Sequence, residues 1–163
     1  MADDARQDLA ALAGRLTDLQ PAMAGIGAAL EALVRDRFDA GRGPGGRVWP
    51  PSRRARAEGG ATLVDSGRLR NSIAARPGPD GVAVGTDVVY AAIHQKGGTI
   101  LPRRARRLVF TSFDGRTVAA DRVDIPARPF LGMDEAAWDA VADRLAEYLA
   151  GGTATLTSRE ARP

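Results

Sequence analysis

Apolar residues recur at helical spacing at the two ends of this chain, and between the ends the pattern is broken by glycine, proline and turn clusters. Near the start, Leu9, Leu12, Leu16 and Leu19 follow steps of three and four, opposite a face that carries Arg6, Asp8, Arg15 and Asp18. Pro21 interrupts this pattern. Proline is tolerated in the first turn of a helix but not inside it, so Pro21 marks either a kink or a fresh start. A second periodic set, Ile26, Leu30, Leu33, Val34 and Phe38, runs up to Gly41 as its stop. Near the end, Asp134 is placed to cap a helix and Glu135 suits its N-terminal dipole. Trp138, Val141, Leu145, Tyr148 and Leu149 then form one apolar stripe that Gly151 and Gly152 close.

The middle has a different grammar. Residues 41–61, GRGPGGRVWPPSRRARAEGGA, mix glycine, proline and arginine without an apolar period, which predicts a long exposed loop or arm. Trp49 inside it is costly to leave in water, so a docking role is expected for it. A short helical turn around Ser66–Leu69 leads into a strand, and the turn cluster at 77–81 followed by the alternating VAVGT predicts a β-hairpin. The segment 106–126 reads as a second hairpin turning at Asp114 and Gly115, while Pro126 and Pro129 keep the following residues extended. Helix, sheet, helix is the order of an α+β domain. The expected fold is an N-terminal helix, a central antiparallel sheet of hairpins with long loops, and a C-terminal helix packed on the sheet. It would form one domain over residues 1–150, with an arm at 41–61, a basic loop at 99–117 and a flexible tail at 151–163.

Composition narrows the chemistry. The chain has 163 residues, 44% of them hydrophobic, which suffices for one compact core. Aromatic residues are only 5%, so Leu, Val, Ile and Ala must build most of that core, with Trp49, Trp138, Phe38 and Phe130 as its few large anchors. Cysteine is absent, which removes disulfides, thiolate metal sites and cysteine nucleophiles together. No signal-peptide pattern opens the chain and no stretch approaches the roughly 20 apolar residues of a membrane span, so a reducing cytoplasm is the expected compartment.

Lys96 is the single Lys among 23 basic residues, and the net charge is a modest +3, so the position of the arginines matters more than their number. Arg47, Arg53, Arg54 and Arg56 fall in one loop-like stretch, and Arg103, Arg104, Arg106 and Arg107 in another. These clusters suit a partner's acidic face or DNA phosphates, or are simply solvated. Neither has interleaved aromatics or a recognition-helix context, which argues against sequence-specific DNA reading and puts docking to a protein first.

His94, the only His, needs a partner to orient it and a group to activate before it can act as a catalyst. Ser66, Asp65, Asp87 and Tyr90 lie upstream but at no recognised spacing, and no nucleophile elbow, phosphate-binding loop or paired-His helix is present. With one His and no Cys a metal site would have to be carboxylate-rich, and the acidic residues are scattered. The expectation is therefore no catalytic residue, no cofactor and no metal, with His94 a hydrogen-bonded turn residue.

Three stretches carry a resemblance to a known family: DSGRLRNSI at 65–73, VGTDVVYAAIHQKGG at 84–98 and IPARPFLG at 125–132, joined by Trp49 in GRVWPPS. In this order and spacing they resemble the phage virion morphogenesis family, the tail-completion proteins of Mu-type and related tailed phages. The likeness covers roughly residues 30 to 150, most of a domain of this size. In these motifs Gly67 permits a tight turn and Leu69 and Ile73 point to the core, with Arg68 and Arg70 outward. Tyr90 and Ile93 are expected buried, Gly97 and Gly98 release the chain, and His94 is placed to bond a backbone carbonyl. Pro126 and Pro129 stiffen the approach of Phe130, and Arg128 is either a surface charge or a fork-like contact to a neighbour's carboxylate.

The resemblance implies a non-enzymatic structural protein of the virion, assembled in the host cytoplasm and placed at the head-tail junction or tail end. It implies a homo-oligomeric, hexameric ring coaxial with the DNA channel, meeting neighbouring neck, tail terminator or tail tube proteins. DNA in the channel could be touched non-specifically, and no membrane is involved. A DNA-binding accessory protein using the Arg-rich loops is the alternative, and a hydrolase centred on His94 a more distant one.

Overall fold

The computed structural model describes residues 2–151, so the expected tail lies outside the described residues apart from Gly151. The class is α+β: two N-terminal helices, small antiparallel sheets, short helical turns and a C-terminal helix. Helix α1 spans Ala2–Thr17 and α2 spans Gln20–Ala40. Between them Asp18 Oδ1 accepts a hydrogen bond from Gln20 N at 3.1 Å, so Pro21 sits in the first turn of a fresh helix rather than at a kink. Gly41 ends α2 with φ at 63°, a conformation that glycine adopts freely.

The remaining elements are α3 Arg53–Glu58, α4 Arg68–Asn71, β1 Ala74–Pro77, β2 Val82–Gly85, α5 Ala91–Lys96, β3 Gly98–Ile100, β4 Leu108–Thr111, β5 Thr117–Ala120, β6 Val123–Ile125 and α6 Glu135–Leu149. The strands do not form one central sheet. They pair as β1 with β2, β3 with β6, and β4 with β5, three separate two-stranded ladders. The β4–β5 hairpin turns at Gly115, as its sequence predicts, with Leu108 opposite Ala120 and Thr111 opposite Thr117. Strand β6 instead returns across that hairpin to β3, placing Gly98 opposite Ile125. That long-range pairing has no local turn signal to betray it.

The chain divides into two compact units, the boundary falling inside α2 between Glu31 and Ala32. The first holds the described residues up to Glu31, then Ala75–Val84 and the described residues from Glu135 to Gly151. Here α1 meets α6: Arg15 Nη1 donates to the Leu149 carbonyl at 2.7 Å, and the Tyr148 hydroxyl donates to the Asp18 carbonyl. Ala75 N donates to Glu31 Oε2 at 3.0 Å, and a Cβ on Gly27 would lie 3.1 Å from that of Ala75, so the missing side chain lets α2 approach β1. Two sequence expectations fail in this unit. Trp138 is 61% exposed, and its place on the buried face of α6 is taken by Ala137, one residue earlier on the same stripe as Val141 and Leu145. Leu9 and Leu16 of α1 are also exposed. Spacing fixes a helix's apolar face only to about one residue, or 100°, and the neighbour chooses the final rotation.

The second unit comprises Ala32–Ala74 and Gly85–Asp134. Its centre is aromatic: Phe38 meets Trp49 edge-on at 5.5 Å between ring centroids and Phe130 at 5.1 Å. Leu69 and Ile73 are buried in the same unit. The extended segment 126–132 runs through this core without joining any sheet, so its backbone groups need other partners. Gln95 supplies three, donating from Nε2 to Leu131 O at 2.7 Å and accepting at Oε1 from Phe130 N at 2.9 Å and Leu131 N at 3.0 Å. Buried Arg37 donates to Phe130 O at 3.0 Å and Gly132 O at 2.9 Å, and pairs with Asp134 at 2.8 Å. Asp134 Oδ2 in turn accepts from Gly45 N at 2.7 Å. Side chains thus do for this segment what a neighbouring strand would do in a sheet.

Candidate functional site

The stretch 41–61, expected as an exposed arm, is folded. A one-turn 3-10 helix at Pro44–Gly46 and a bridge between Arg42 and Val48 order its first half. Ser52 then caps α3 by accepting from Ala55 N at 3.1 Å, and Gly59 closes it in the left-handed conformation. Serine before and glycine after RRARAE was the readable signal for this helix. Trp49, expected to dock a partner, is 3% exposed and donates from Nε1 to Pro129 O at 2.8 Å. The cost of an aromatic in water is thus met inside the chain. A Cβ on Gly43 would fall 2.5 Å from the Pro129 carbonyl, so this close approach requires glycine.

The three motif stretches converge on one cavity of about 310 Å³ in the second unit. The first motif contributes Asp65, Ser66, Gly67, Arg68 and Leu69, the second Tyr90 and His94, the third Arg128, and the folded arm adds Ser52 and Arg54, with Leu63 just beyond it. Gly67 has φ at 75° where the chain turns into α4. Arg128 N donates to His94 O at 2.7 Å, and Arg128 Nε donates to Pro50 O at 2.7 Å, tying the third motif to the second and to the arm. Gly97, with φ at 70°, brings the end of α5 so near the third motif that a Cβ would stand 2.7 Å from Ala127 N.

The other sequence candidates scatter. Arg54 lines the cavity, donates to Ala61 O and Val64 O at 2.7 Å each, and reaches Asp65 at 3.3 Å. Arg70 forms a two-pronged pair with Asp39 at 2.7 and 2.6 Å, which holds the Asp39 carboxyl below its ordinary range and raises Arg70. Arg53 is exposed on α3, and Arg103, Arg104, Arg106 and Arg107 are exposed ahead of β4, where Arg107 meets Asp121 at 2.9 Å. Lys96 is exposed. Tyr90, expected buried, is 43% exposed, while Val88 and Ala91 close to it are buried. Phe130 is fully buried, and Pro126 and Pro129 flank it along the extended segment.

His94 is the informative exception. Its expected role is to bond a carbonyl, yet its Nδ1 is buried and has no hydrogen-bond partner among the described residues. Its ring meets Tyr90 edge-on at 6.0 Å. Burial first, and the nearby Arg128 second, hold its pKa below the ordinary value, so the ring is neutral near pH 7. Arg128 itself is 6% exposed, and burial followed by the charge of Arg56 lowers its pKa. No hydrogen bond joins His94 to Ser66, Asp65 or Tyr90, so the cavity brings together the residues a hydrolase would draw on without assembling an oriented base and nucleophile.

Comparison with known proteins agrees with the convergence of these motifs: the phage virion morphogenesis family matches residues 2–150. The chain belongs to that family. A relative is the Mu-like prophage FluMu G protein 2 of Haemophilus influenzae, 36% identical over 111 residues, or 68% of this chain and 64% of that protein. The alignment therefore spans just under two thirds of the relative's length. No solved structure matches the chain. Membership of the phage virion morphogenesis family gives a virion-associated role in assembly and agrees with structure rather than catalysis as its task. Among the described residues, no helix is long and apolar enough to cross a membrane.

Proposed function

We propose that this chain is a tail-completion or neck component that acts at the head-tail junction, closing into a hexameric ring around the DNA channel. The observation that carries the reading, beside family membership, is the β4–β5 hairpin. Its two strands pair only with each other, and Val109, Phe110 and Phe113 stand exposed along it, with Val109 at 68%. A lone two-stranded hairpin gains little stability by itself, and exposed large apolar side chains on both of its faces suit a surface covered in an assembly. The exposed Arg103, Arg104 and Arg106 lie just ahead of it and suit an acidic rim on the next subunit or on a neck, tail terminator or tail tube protein. A ring requires one patch to meet a different patch on the next copy, and the hairpin is the natural donor of such a contact.

The test is the mass distribution of the purified chain across a concentration series, by light scattering after sizing, with negative-stain images of the large species. Closed rings of uniform diameter and six subunits support the reading. A monomer at every concentration counts against self-assembly and favours the second reading, a DNA-binding accessory protein. That alternative rests on the same exposed arginines and predicts a DNA affinity that falls steeply with salt while remaining measurable near physiological ionic strength.

A further inference from the structure

We propose that the cavity shared by the three motifs is a carboxylate-binding pocket, with the guanidinium of Arg128 as the fork that grips the ligand. This inference concerns the chemistry of the pocket and stands apart from the ring reading. Arg128 is 6% exposed, and its Nε is engaged by the Pro50 carbonyl at 2.7 Å. Its two terminal nitrogens have no hydrogen-bond partner among the described residues, and no carboxylate of those residues lies within 4.0 Å. A buried guanidinium normally keeps a counter-ion, because desolvation without one is expensive. Here a charge that does act on it is Arg56, of the same sign. His94 also lines the cavity, with its Nδ1 turned away from the open space, buried and without a partner among the described residues. A guanidinium without a counter-ion thus lines an open space, and a single ligand with two oxygens can meet its two terminal nitrogens.

The neighbours select among anions. Arg54 is already committed to Asp65 and to two carbonyls, so it leaves little charge for a ligand. Arg68, exposed and without an ion pair, adds one cation. Asp65 puts a negative charge on the same rim, and Leu63 and Leu69 make the walls apolar. That balance fits a planar monoanion, which an arginine fork holds with two parallel bonds, better than a doubly charged phosphate. The carboxylate could be an acidic side chain of a second copy of this chain or a free small organic acid, and the two sources are separable by experiment.

The test titrates the full chain with glutarate, with inorganic phosphate and with chloride at matched ionic strength, following the ring-proton NMR signals of His94, the only His in the chain. Glutarate is expected to shift those signals saturably and to raise the pH at which His94 titrates, with phosphate weaker and chloride inert. Arg128→Gln is expected to abolish the response. Because Arg128 also holds Pro50, the exposed Arg68→Gln is measured beside it and should weaken glutarate several-fold at an unchanged melting temperature. A phosphate response equal to or stronger than that of glutarate overturns the carboxylate assignment, as does no saturable response to either anion, or unchanged affinity in both variants. Dissociation of assembled species by glutarate identifies a second copy as the source. Saturable binding with assembly unchanged identifies a free acid, and either keeps the pocket.

Discussion

At the scale of the residue, the second unit depends on a few positions where the reason for the amino acid is visible only in three dimensions. Gly97 combines φ at 70° with a Cβ position 2.7 Å from Ala127 N, whereas Gly45, at φ 68°, has open space around it. Gly97→Ala is expected to cost about 1–3 kcal/mol from strain and steric displacement, and Gly45→Ala only about 1 kcal/mol from its backbone conformation; urea unfolding of the two variants separates the terms. His94 gives a pH prediction. Its folded pKa lies below the ordinary 6.5, so below that pH the unfolded chain binds a proton that the folded chain refuses. Stability should therefore fall as pH drops through this window and level off below the folded pKa, and His94→Gln should flatten that slope when melting temperatures are compared across pH. The glycines were readable as punctuation, but which of them bears against a backbone was not, because Ala127 is far from Gly97 in sequence.

At the scale of the element, the extended segment 126–132 is the unusual part. Its prolines announce an extended chain, yet nothing in the sequence says what satisfies its carbonyls and amides. Gln95, on α5, provides three of those bonds and was passed over in sequence because a Gln between His and Lys carries no motif of its own. Gln95→Leu keeps the approximate shape and leaves three backbone groups unpaired, so a loss of about 3 kcal/mol or more is expected in chemical denaturation. Helix α3 shows the opposite case. Its Ser52 cap and Gly59 stop are both in the sequence, but six residues with no apolar face gave no period to detect.

At the scale of the whole molecule, the exposed hairpin is the surface on which the proposed self-assembly rests. Replacing residues 105–121 by a short glycine-serine turn should leave the β3–β6 ladder intact, since Ile100 and Val123 already face each other across it. The expected outcome is a variant with the far-ultraviolet spectrum of a folded α+β protein that no longer forms large species in sizing and scattering. Self-association that survives the deletion assigns the subunit contact elsewhere. The exposed Leu9, Leu16 and Trp138 of the first unit are then the next surfaces to alter.

Sequence alone was enough for the class and the order of elements, because helical period, proline placement and turn clusters are local properties of the chain. It also determined the family, because three separated motifs had to agree at once. Only the tertiary structure decided which of the few aromatics are core. Trp49 went in because Phe38, itself packed on Phe130, meets it and the Pro129 carbonyl accepts its N–H, and Trp138 stayed out because Ala137 holds the buried position. It likewise decided that the motifs share one cavity, since burial and unpaired donors depend on what the rest of the fold brings near, which no spacing along the chain encodes.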